Sequence, residues 1–501
     1  MTDELVTVYV SLSKDKMHIK FDAPYEYLSA LKEYFSAFVP NYQHLPKFRG
    51  SAWDGRISVF DGRTRSLPYG LIFDVIEFHQ EQFPTWRLKI DEPAKRKFGT
   101  FVLPPKVIYN LTEKKPIRDY QKQCIEKCLH WRSGIIRCAT GGGKSLIIAY
   151  IIKTLSEQKL ANKQLIIVPT LGLIEQFVGD LVEYGLSKKL IGRVNADSKE
   201  FDSPIVIATW QTLANNYNKL NQYDTVIIDE THSAKATVIR SVLENATKAT
   251  FRFGFTGTMN EEPVDVLNVK SFLGPVLMDI SAFELMEQGY LSDLTVNVVN
   301  INYSEDFSGS YKQVKEEVFK HQFRLNFIRD LLIKIPSNVL VLVGLVQKEG
   351  ELLKDFLLES KEFKKSKEIM FLSGKDDVKI REIWRQKMDK KNKKKIILIA
   401  TYQIFQLGVN IPSLKYVLFG ALYKSKIRNL QSIGRILRPD TSKEITGAHV
   451  IDLADQIRFF GEHSTIRYRQ YNKEKFNVVE YTINENDDYT EVLNKFIEDI
   501  T

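Results

Sequence analysis

The chain has 501 residues, which is too long for a single hydrophobic core, and we expect about three domains. Apolar residues make up 44% of it, but no apolar run reaches the roughly 20 residues that span a membrane, so we expect no membrane-spanning segment. The net charge of +9 is compatible with a polyanionic partner, and three cysteines cannot form a disulfide framework. The acidic start does not resemble a signal peptide, so we expect a reducing cytoplasm.

Residues 1–112 are predicted to form a separate small α+β domain. Apolar runs at 6–10 and 17–21 predict strands, and the apolar spacing over 25–38 predicts a helix. Basic and aromatic residues then alternate, and the candidates for contact with nucleic acid are Lys47, Arg49, Trp53 and Arg56. Lysine and arginine meet phosphates, while aromatic rings stack on bases. A β-hairpin with Trp53 in its core explains the same residues equally well.

Residues 113–282 alternate short apolar strands with helical stretches, which is the pattern of a parallel, doubly wound sheet. The first strand leads into a glycine-rich turn and a helix start, Thr140-Gly141-Gly142-Gly143-Lys144-Ser145. Glycines let several backbone N–H groups point at one anion, and the helix adds its positive end. Lys144 can reach the β- and γ-phosphates of a nucleotide, and the Ser145 hydroxyl can ligate Mg²⁺. This stretch therefore predicts a nucleotide phosphate loop.

Another buried strand of this region ends in two carboxylates, Asp229 and Glu230. A carboxylate at a strand end beside a phosphate loop can hold Mg²⁺, and Asp229 has that position. The adjacent Glu230 can orient and deprotonate an attacking water. With Lys144 upstream, this pair predicts nucleotide hydrolysis.

Residues 283–458 repeat the alternation of strand and helix without a phosphate loop of their own. Arg435 and Arg438 lie three residues apart, so on a helix they share a face and can clamp the charge of a transferring γ-phosphate. Taken alone, the two arginines are better explained by a helix with surface salt bridges. Residues 459–501 are predicted to form a helical C-terminal extension.

Eight short segments between residues 116 and 455 together resemble the motifs of superfamily 2 helicases of the DExH type, whose box is here Asp229-Glu230-Thr231-His232. The resemblance implies two tandem RecA-like doubly wound parallel-sheet domains that use ATP and Mg²⁺, with the metal on Ser145 and Asp229. It assigns catalysis to Lys144, Glu230, Arg435 and Arg438. It implies nucleotide contacts from Arg118, Gln121, Thr140, Gly141, Gly142, Gly143, Lys144, Ser145, Gly408 and Asn410.

The same resemblance implies that hydrolysis is coupled to strand movement through His232, Thr256, Thr258 and Gln431. Contacts with the nucleic-acid backbone are implied for Pro169, Thr170, Thr209, Gln211 and Thr401. Asn410 stands where many relatives have aspartate.

Within the superfamily, the closest resemblance is to the UvsW family of phage recombination helicases. It is carried by total length and by three N-terminal segments, Phe48-Arg49, Trp53-Asp54-Gly55-Arg56-Ile57 and Leu67-Pro68-Tyr69-Gly70-Leu71. It implies a monomeric helicase that unwinds and branch-migrates branched DNA, including Holliday junctions, stalled forks and R-loops, in recombination, replication and repair in the bacterial host cytoplasm. Recombination or single-strand-binding proteins are further candidate partners. Two alternatives stay open: an RNA helicase, and a non-catalytic junction-binding or annealing protein.

Overall fold

The computed structural model describes residues 5–97, 106–107, 111, 115–233, 236–258, 262–372, 376, 378–389, 394–402, 411, 413–420, 433–434, 436–437 and 447–501. The chain divides into two compact units, which are described separately below. The first comprises residues 1–138 and 143–279, and the second comprises residues 139–142 and 280–501. In the part of the chain that the structure describes, no helix is both long enough and apolar enough to cross a bilayer.

The first unit opens with a small α+β region. Its strands and helices are β1 (Thr7–Leu12), β2 (His18–Asp22), α1 (Tyr25–Tyr34), β3 (Ser36–Phe38), α2 (Pro46–Gly50), β4 (Arg56–Ser58), β5 (Ser66–Pro68), α3 (Ile72–Gln82), β6 (Arg87–Ile90) and α4 (Glu92–Lys97). Four strands form a mixed sheet in the order β5-β2-β1-β6, and β3 pairs with β4 in a separate antiparallel ribbon. The helix predicted over 25–38 ends at Tyr34, because residues 36–38 pair with β4 instead.

The rest of the first unit is an α/β region. Its elements are α5 (Asp119–Trp131), β7 (Ser133–Cys138), α6 (Lys144–Glu157), β8 (Gln164–Val168), α7 (Leu171–Glu183), β9 (Ile191–Val194), β10 (Ile205–Thr209), α8 (Trp210–Ala214), β11 (Thr225–Asp229), α9 (Ala236–Asn245), β12 (Phe251–Thr256), α10 (Pro263–Leu273) and β13 (Val276–Ile280). The strand order is β13-β7-β12-β11-β8-β10-β9, and the pairs from β7 to β9 are parallel. Strands β8, β10 and β11 are buried on both faces, as their continuous apolar runs predict.

The α+β region and this parallel sheet share one contiguous apolar core. Polar contacts reinforce the joint: the Tyr69 hydroxyl lies 3.2 Å from the Ser133 hydroxyl, and the Lys270 ammonium lies 2.6 Å from an Asp74 oxygen. Arg252 is buried here, and its guanidinium donates to the Ala246 and Ala249 carbonyls and to the Met17 sulfur. The N-terminal region is therefore packed onto the first sheet as part of the same unit.

The second unit contains another seven-stranded sheet. Its elements are α11 (Ala282–Glu287), β14 (Leu294–Asn302), α12 (Tyr311–Lys320), α13 (Gln322–Lys334), β15 (Val339–Val343), a π-helix (Val346–Glu351), α14 (Leu352–Glu359), α15 (Lys361–Ser366), β16 (Lys367–Leu372), α16 (Val378–Met388), β17 (Lys395–Thr401), β18 (Tyr416–Phe419), β19 (Ala448–Asp455), α17 (Phe460–Lys473), β20 (Asn477–Asn484) and α18 (Thr490–Ile500). The strand order is β16-β17-β15-β18-β19-β14-β20, with every pair parallel.

Two features tie the C-terminal segment into this sheet. The predicted extension over 459–501 is not purely helical, because β20 lies between its two helices and pairs with β14 along its whole length. Arg467 of α17 forms a buried ion pair with Asp452 of β19, with 2.8 Å between Nε and Oδ2. The predicted fold class, two doubly wound parallel sheets with a small N-terminal α+β region, is confirmed. The predicted domain boundaries stay predictions.

Candidate functional site

The candidate site residues of the first unit follow the carboxyl ends of neighbouring parallel strands. In register, Val168 lies opposite Thr209, Asp229 opposite Phe255, and Thr256 opposite Arg137. Segments that come after these strands therefore emerge at one edge of the sheet, which is where parallel α/β sheets bind ligands.

The phosphate loop lies at this edge, between β7 and α6. Gly143 precedes the helix with a φ of 79°, and Gly141 has a φ of 90°, both in the left-handed region that favours glycine. A Cβ atom on Gly143 would come within 2.5 Å of the Gln121 side-chain nitrogen. Only glycine can therefore bring the loop this close to Gln121, and the start of α6 provides backbone N–H groups for an anion.

Arg118 and Gln121 are fixed beside this loop at the start of α5. The backbone N–H of Arg118 donates to the side-chain amide oxygen of Gln121 at 3.0 Å, and the Arg118 guanidinium donates to the Tyr120 hydroxyl at 3.0 Å. Gln121 is 2% exposed. The amide is thereby held in one orientation, with its nitrogen side against Gly143.

Lys144 joins the phosphate loop to the acidic pair. Its ammonium lies 3.4 Å from a Glu230 carboxylate oxygen and donates to the Cys138 carbonyl at 3.4 Å. Burial opposes ionisation of both partners, but their mutual attraction prevails. The pKa of Lys144 is therefore raised and that of Glu230 lowered, and a backbone N–H from Gly257 also helps to keep Glu230 ionised.

Asp229 and Glu230 lie in contrasting environments although they are adjacent. Burial, and next the charge of Glu230, raises the pKa of Asp229 to about 7. Its Oδ1 atom is buried with no hydrogen-bond partner among the described residues. A buried carboxylate oxygen without a partner fits a Mg²⁺ ligand, because magnesium prefers carboxylate and hydroxyl oxygens. Glu230 has a φ of 50°, an uncommon value for a side chain other than glycine and a sign of local constraint.

Three of the residues predicted to couple hydrolysis to movement, His232, Thr256 and Thr258, form a short hydrogen-bonded chain behind Glu230. His232 Nδ1 lies 2.6 Å from the Thr256 hydroxyl, which donates to the Thr258 carbonyl at 2.5 Å. Since Thr256 uses its proton on Thr258, it accepts from His232, which places a proton on Nδ1. Burial lowers the pKa of His232 despite the nearby Glu230 carboxylate, in keeping with a neutral ring.

Sequence reasoning missed Tyr184, which contacts a predicted metal ligand. Its hydroxyl lies 3.1 Å from the Ser145 hydroxyl, and Tyr184 itself is 6% exposed at the end of α7. Lys115 lies over the Tyr184 ring at 5.1 Å and pairs with Glu183 at 2.8 Å. No local pattern marks this tyrosine, because it meets Ser145 only through tertiary packing.

The predicted nucleic-acid contacts are distributed over both units. In the first unit, Pro169 and Thr170 follow β8, while Thr209 ends β10 and its hydroxyl lies 3.1 Å from that of Thr212. Gln211 is exposed on α8. In the second unit, Thr401 is buried at the end of β17.

The N-terminal candidates surround the β3–β4 ribbon. Lys47 and Arg49 are exposed on α2, and Lys47 lies over the Trp53 ring at 5.0 Å. The half-buried Trp53 donates its indole N–H to the Arg56 carbonyl at 2.6 Å, and the Arg56 guanidinium lies over the Phe38 ring at 4.5 Å. The segment therefore carries both basic and aromatic groups, and the indole N–H is already hydrogen-bonded within the protein.

Five predicted site residues lie outside the described residues, and all five were assigned from the motifs of the second α/β region: Gly408, Asn410, Gln431, Arg435 and Arg438.

Comparison with known proteins gives two family matches and a relative along nearly the whole chain. The family described as "Type III restriction enzyme, res subunit" matches residues 114–261, and the family described as "DNA helicase UvsW, N-terminal" matches residues 10–91. The chain is 28% identical over 508 residues to the "ATP-dependent DNA helicase uvsW" of Enterobacteria phage T4, covering 94% of this chain and 98% of that protein.

The crystal structure of UvsW from the same phage covers 96% of this chain and 100% of its own, at 25% identity and a TM-score of 0.48. Dbp5 of S. cerevisiae, solved with RNA and ADP BeF3, covers 78% of this chain and 98% of its own, at 15% identity and a TM-score of 0.53, which shows a shared fold.

Proposed function

We propose that this chain, a UvsW-like superfamily 2 helicase, is an ATP-dependent DNA helicase that unwinds and branch-migrates branched DNA. The substrates would include Holliday junctions, stalled forks and R-loops, in phage recombination, replication and repair. The single observation that carries the proposal is the contact of Lys144 with Glu230 beside a phosphate loop of the required geometry. A protein that only binds junctions needs no such pairing of a phosphate-binding lysine with a water-activating carboxylate.

In this proposal the phosphate loop, together with residues of the first unit, binds and activates the nucleotide. Lys144 and the backbone of residues 140–143 bind the phosphates. Arg118 and Gln121 contact the base of the nucleotide, and Ser145 and Asp229 bind Mg²⁺. Bound there, Mg²⁺ would neutralise charge on the β- and γ-phosphates. Glu230, which Lys144 keeps ionised, accepts a proton from the attacking water.

The same proposal assigns the remaining steps to the other motif residues. Arg435 and Arg438 stabilise charge that develops on the γ-phosphate, and Gly408 and Asn410 contact the nucleotide. His232, Thr256, Thr258 and Gln431 relay the outcome of hydrolysis to the segments that hold the strand. Those segments contain Pro169, Thr170, Thr209, Gln211 and Thr401. Because no covalent intermediate forms, catalysis rests on positioning and electrostatics.

DNA is the proposed substrate rather than RNA. The support is the match of residues 10–91 to a DNA helicase N-terminal family, together with the phage DNA helicase that is similar along the whole chain. We assign duplex contact to Lys47, Arg49, Trp53 and Arg56, whose basic and aromatic groups suit phosphates and bases. We propose a monomer that works in the host cytoplasm, with recombination or single-strand-binding proteins as further partners. The proposed domains are residues 1–112, 113–282, 283–458 and 459–501.

The decisive experiment is steady-state phosphate release against single-stranded, duplex, forked and four-way DNA, with RNA of the same sequences as a control. We expect branched DNA to stimulate hydrolysis most and RNA to stimulate it little. Glu230→Gln, prepared in parallel, controls for contaminating ATPases. Equal stimulation by RNA would make the chain an RNA helicase, and an absence of turnover on every substrate would make it a binding protein.

A further inference from the structure

Three segments that are distant in sequence meet at one point of the second unit. Glu305 follows β14, His321 separates α12 from α13, and Glu485 follows β20. Backbone and side-chain contacts hold the two glutamate segments together: Ser304 donates its N–H and its hydroxyl to Glu485 Oε2, at 2.9 and 2.8 Å. The meeting point is thus fixed by the fold rather than by chance approach of long side chains.

The three side chains present one potential ligand atom each to a common centre. His321 Nε2 lies 3.4 Å from Glu305 Oε1 and 3.4 Å from Glu485 Oε1, and all three ligand atoms lie within 4.8 Å of one another. These separations exceed the roughly 2.7–3.2 Å of an N–H···O hydrogen bond. The two histidine–carboxylate separations match the edge of a tetrahedron around Zn²⁺, which is about 3.3–3.6 Å for bonds of roughly 2.0–2.2 Å.

The imidazole is half-buried among aromatic rings. The His321 side chain is 13% exposed, and its ring contacts those of Tyr303 and Phe307, with centroids 4.9 and 5.7 Å away. Its Nδ1 atom is buried and makes no hydrogen bond to any residue that the structure describes. Ser304 holds Glu485 through its Oε2 atom, while the Oε1 atom lies beside His321. The imidazole and the Glu485 carboxylate are therefore positioned by neighbouring groups, and Glu305, whose side chain is 70% exposed, would complete the ligand set.

We propose that Glu305, His321 and Glu485 bind one divalent transition-metal ion, with Zn²⁺ the best fit. An imidazole nitrogen beside two carboxylates suits Zn²⁺ and disfavours Mg²⁺ and Ca²⁺, which take oxygen ligands. Glu305 also lines a cleft of about 370 Å³, together with Asp306 and Arg458 among others, from which a water could reach the ion as its fourth ligand. The ion would cross-link the ends of β14 and β20 to the start of α13, and so fasten the C-terminal segment to the second sheet.

The test is Zn²⁺ titration of the chelator-treated full-length chain by calorimetry, with thermal unfolding as a second readout. We expect the unaltered chain to bind one Zn²⁺, and we expect Glu305→Gln and His321→Gln to reduce the Zn²⁺ affinity at least tenfold. Zn²⁺ should raise the unfolding temperature only of the chains that bind it. Glu305→Gln is the main variant, because its exposed side chain can change without disturbing the core.

Asp306→Asn is the matched control, since it removes a carboxylate of the same cleft that is outside the ligand set. We expect it to bind Zn²⁺ like the unaltered chain, and we expect any heat from Mg²⁺ to be the same in the unaltered chain and in Glu305→Gln. The proposal is overturned if the unaltered chain and Glu305→Gln bind Zn²⁺ equally, or if neither binds it. It is also overturned if Asp306→Asn loses binding as Glu305→Gln does, which would make the cluster an ordinary ion pair in an acidic cleft.

Discussion

Lys144 has a protein partner before any phosphate arrives, because its ammonium already contacts Glu230. We predict that Lys144→Ala weakens ATP binding, since it removes positive charge from the phosphate site. Glu230→Gln should bind ATP normally and lose roughly 10²–10⁴-fold in turnover, because it lacks the base but keeps the phosphate loop. Fluorescent-nucleotide binding and phosphate release on the same preparations separate the two effects. Near-normal turnover by Glu230→Gln would remove this residue from catalysis.

The pKa of Asp229, raised to about 7, makes the nucleotide-free chain sensitive to pH. Folding favours the protonated form of Asp229. Its contribution to the free energy of unfolding is therefore fully present below the ordinary pKa of 3.8 and is lost as the pH rises through about 7. We predict that, without nucleotide or Mg²⁺, Asp229→Asn is more stable than the unaltered chain at pH 8, by roughly 1–3 kcal/mol. The difference should shrink at pH 5.5. Denaturant unfolding at both pH values measures it, and a difference independent of pH would contradict the assignment.

Tyr184 offers a separate test of the metal site, through the hydroxyl that contacts Ser145. If Tyr184 accepts the Ser145 proton, a serine lone pair is free to face Mg²⁺. We predict that Tyr184→Phe raises the Mg²⁺ concentration needed for half-maximal nucleotide binding roughly 2- to 10-fold. This factor corresponds to the net free energy of one hydrogen bond. Turnover at saturating Mg²⁺ should change little.

A matched control for Tyr184→Phe is Tyr223→Phe, which loses a hydrogen bond of 3.2 Å to the Phe201 carbonyl elsewhere in the same unit. This control should leave the Mg²⁺ dependence unaltered. If both variants shift it equally, the effect is one of general stability and Tyr184 does not position Ser145.

At the scale of elements, the short α2 helix gives the sharpest test of DNA contact. Lys47 and Arg49 are exposed on it, so they can be changed with little effect on packing. We predict that Lys47→Ala with Arg49→Ala weakens binding to a four-way junction and reduces the slope of log affinity against log salt by about 0.9 for each lost phosphate contact. Fluorescence anisotropy over a salt series measures both quantities.

The control for that pair is Lys14→Ala with Lys20→Ala, two exposed lysines of the same region outside the basic and aromatic segment. It changes the net charge by the same amount and should have a smaller effect on the slope. Identical slopes for the two double variants would mean that overall charge, rather than α2, governs DNA binding.

Elements with strong local patterns were predictable from sequence, and those set by distant partners were not. The apolar run over 339–343 predicts β15 at its observed bounds, because a strand buried on both faces needs apolar side chains throughout. The phosphate loop and the acidic pair were likewise predictable, since parallel strands bring their carboxyl ends to one edge. The roles assigned to these residues stay predictions.

The missed features all depend on partners that are distant in sequence. Residues 36–38 continue an apolar helical spacing, but pairing with β4 makes them a strand. Residues 477–484 are rich in β-branched side chains, a usable signal that the polar character of the surrounding tail concealed. Tyr184 carries no signal at all, because its meeting with Ser145 depends on how α7 packs beside α6.

At the scale of the whole molecule, the N-terminal region cannot be treated as a removable module. Its core is continuous with that of the first parallel sheet, so deleting it would expose apolar surface along the joint. The role of this region is therefore better tested by surface substitutions than by truncation.

Gly70 provides a direct measure of that joint. A Cβ atom there would lie 2.4 Å from the Lys270 carbonyl oxygen, and a backbone atom cannot move aside as a flexible side chain can. We predict that Gly70→Ala destabilises the chain by roughly 1–3 kcal/mol in denaturant unfolding, the usual cost of overpacking. Gly62→Ala is the control, because nothing lies within 4 Å of its Cβ position. Equal stability of the two variants would show that the joint is loose.

The contact between Tyr69 and Ser133 has a mechanical consequence. Ser133 is the first residue of β7, and the same strand ends at Cys138, directly before the phosphate loop. If the duplex is held at Lys47 and Arg49, tension on the DNA passes through the shared core to the root of β7. The ATP site then bears the load at the far end of a single six-residue strand. An opposing force applied to the duplex in an optical trap would accordingly alter the rate of nucleotide turnover as well as the speed of movement.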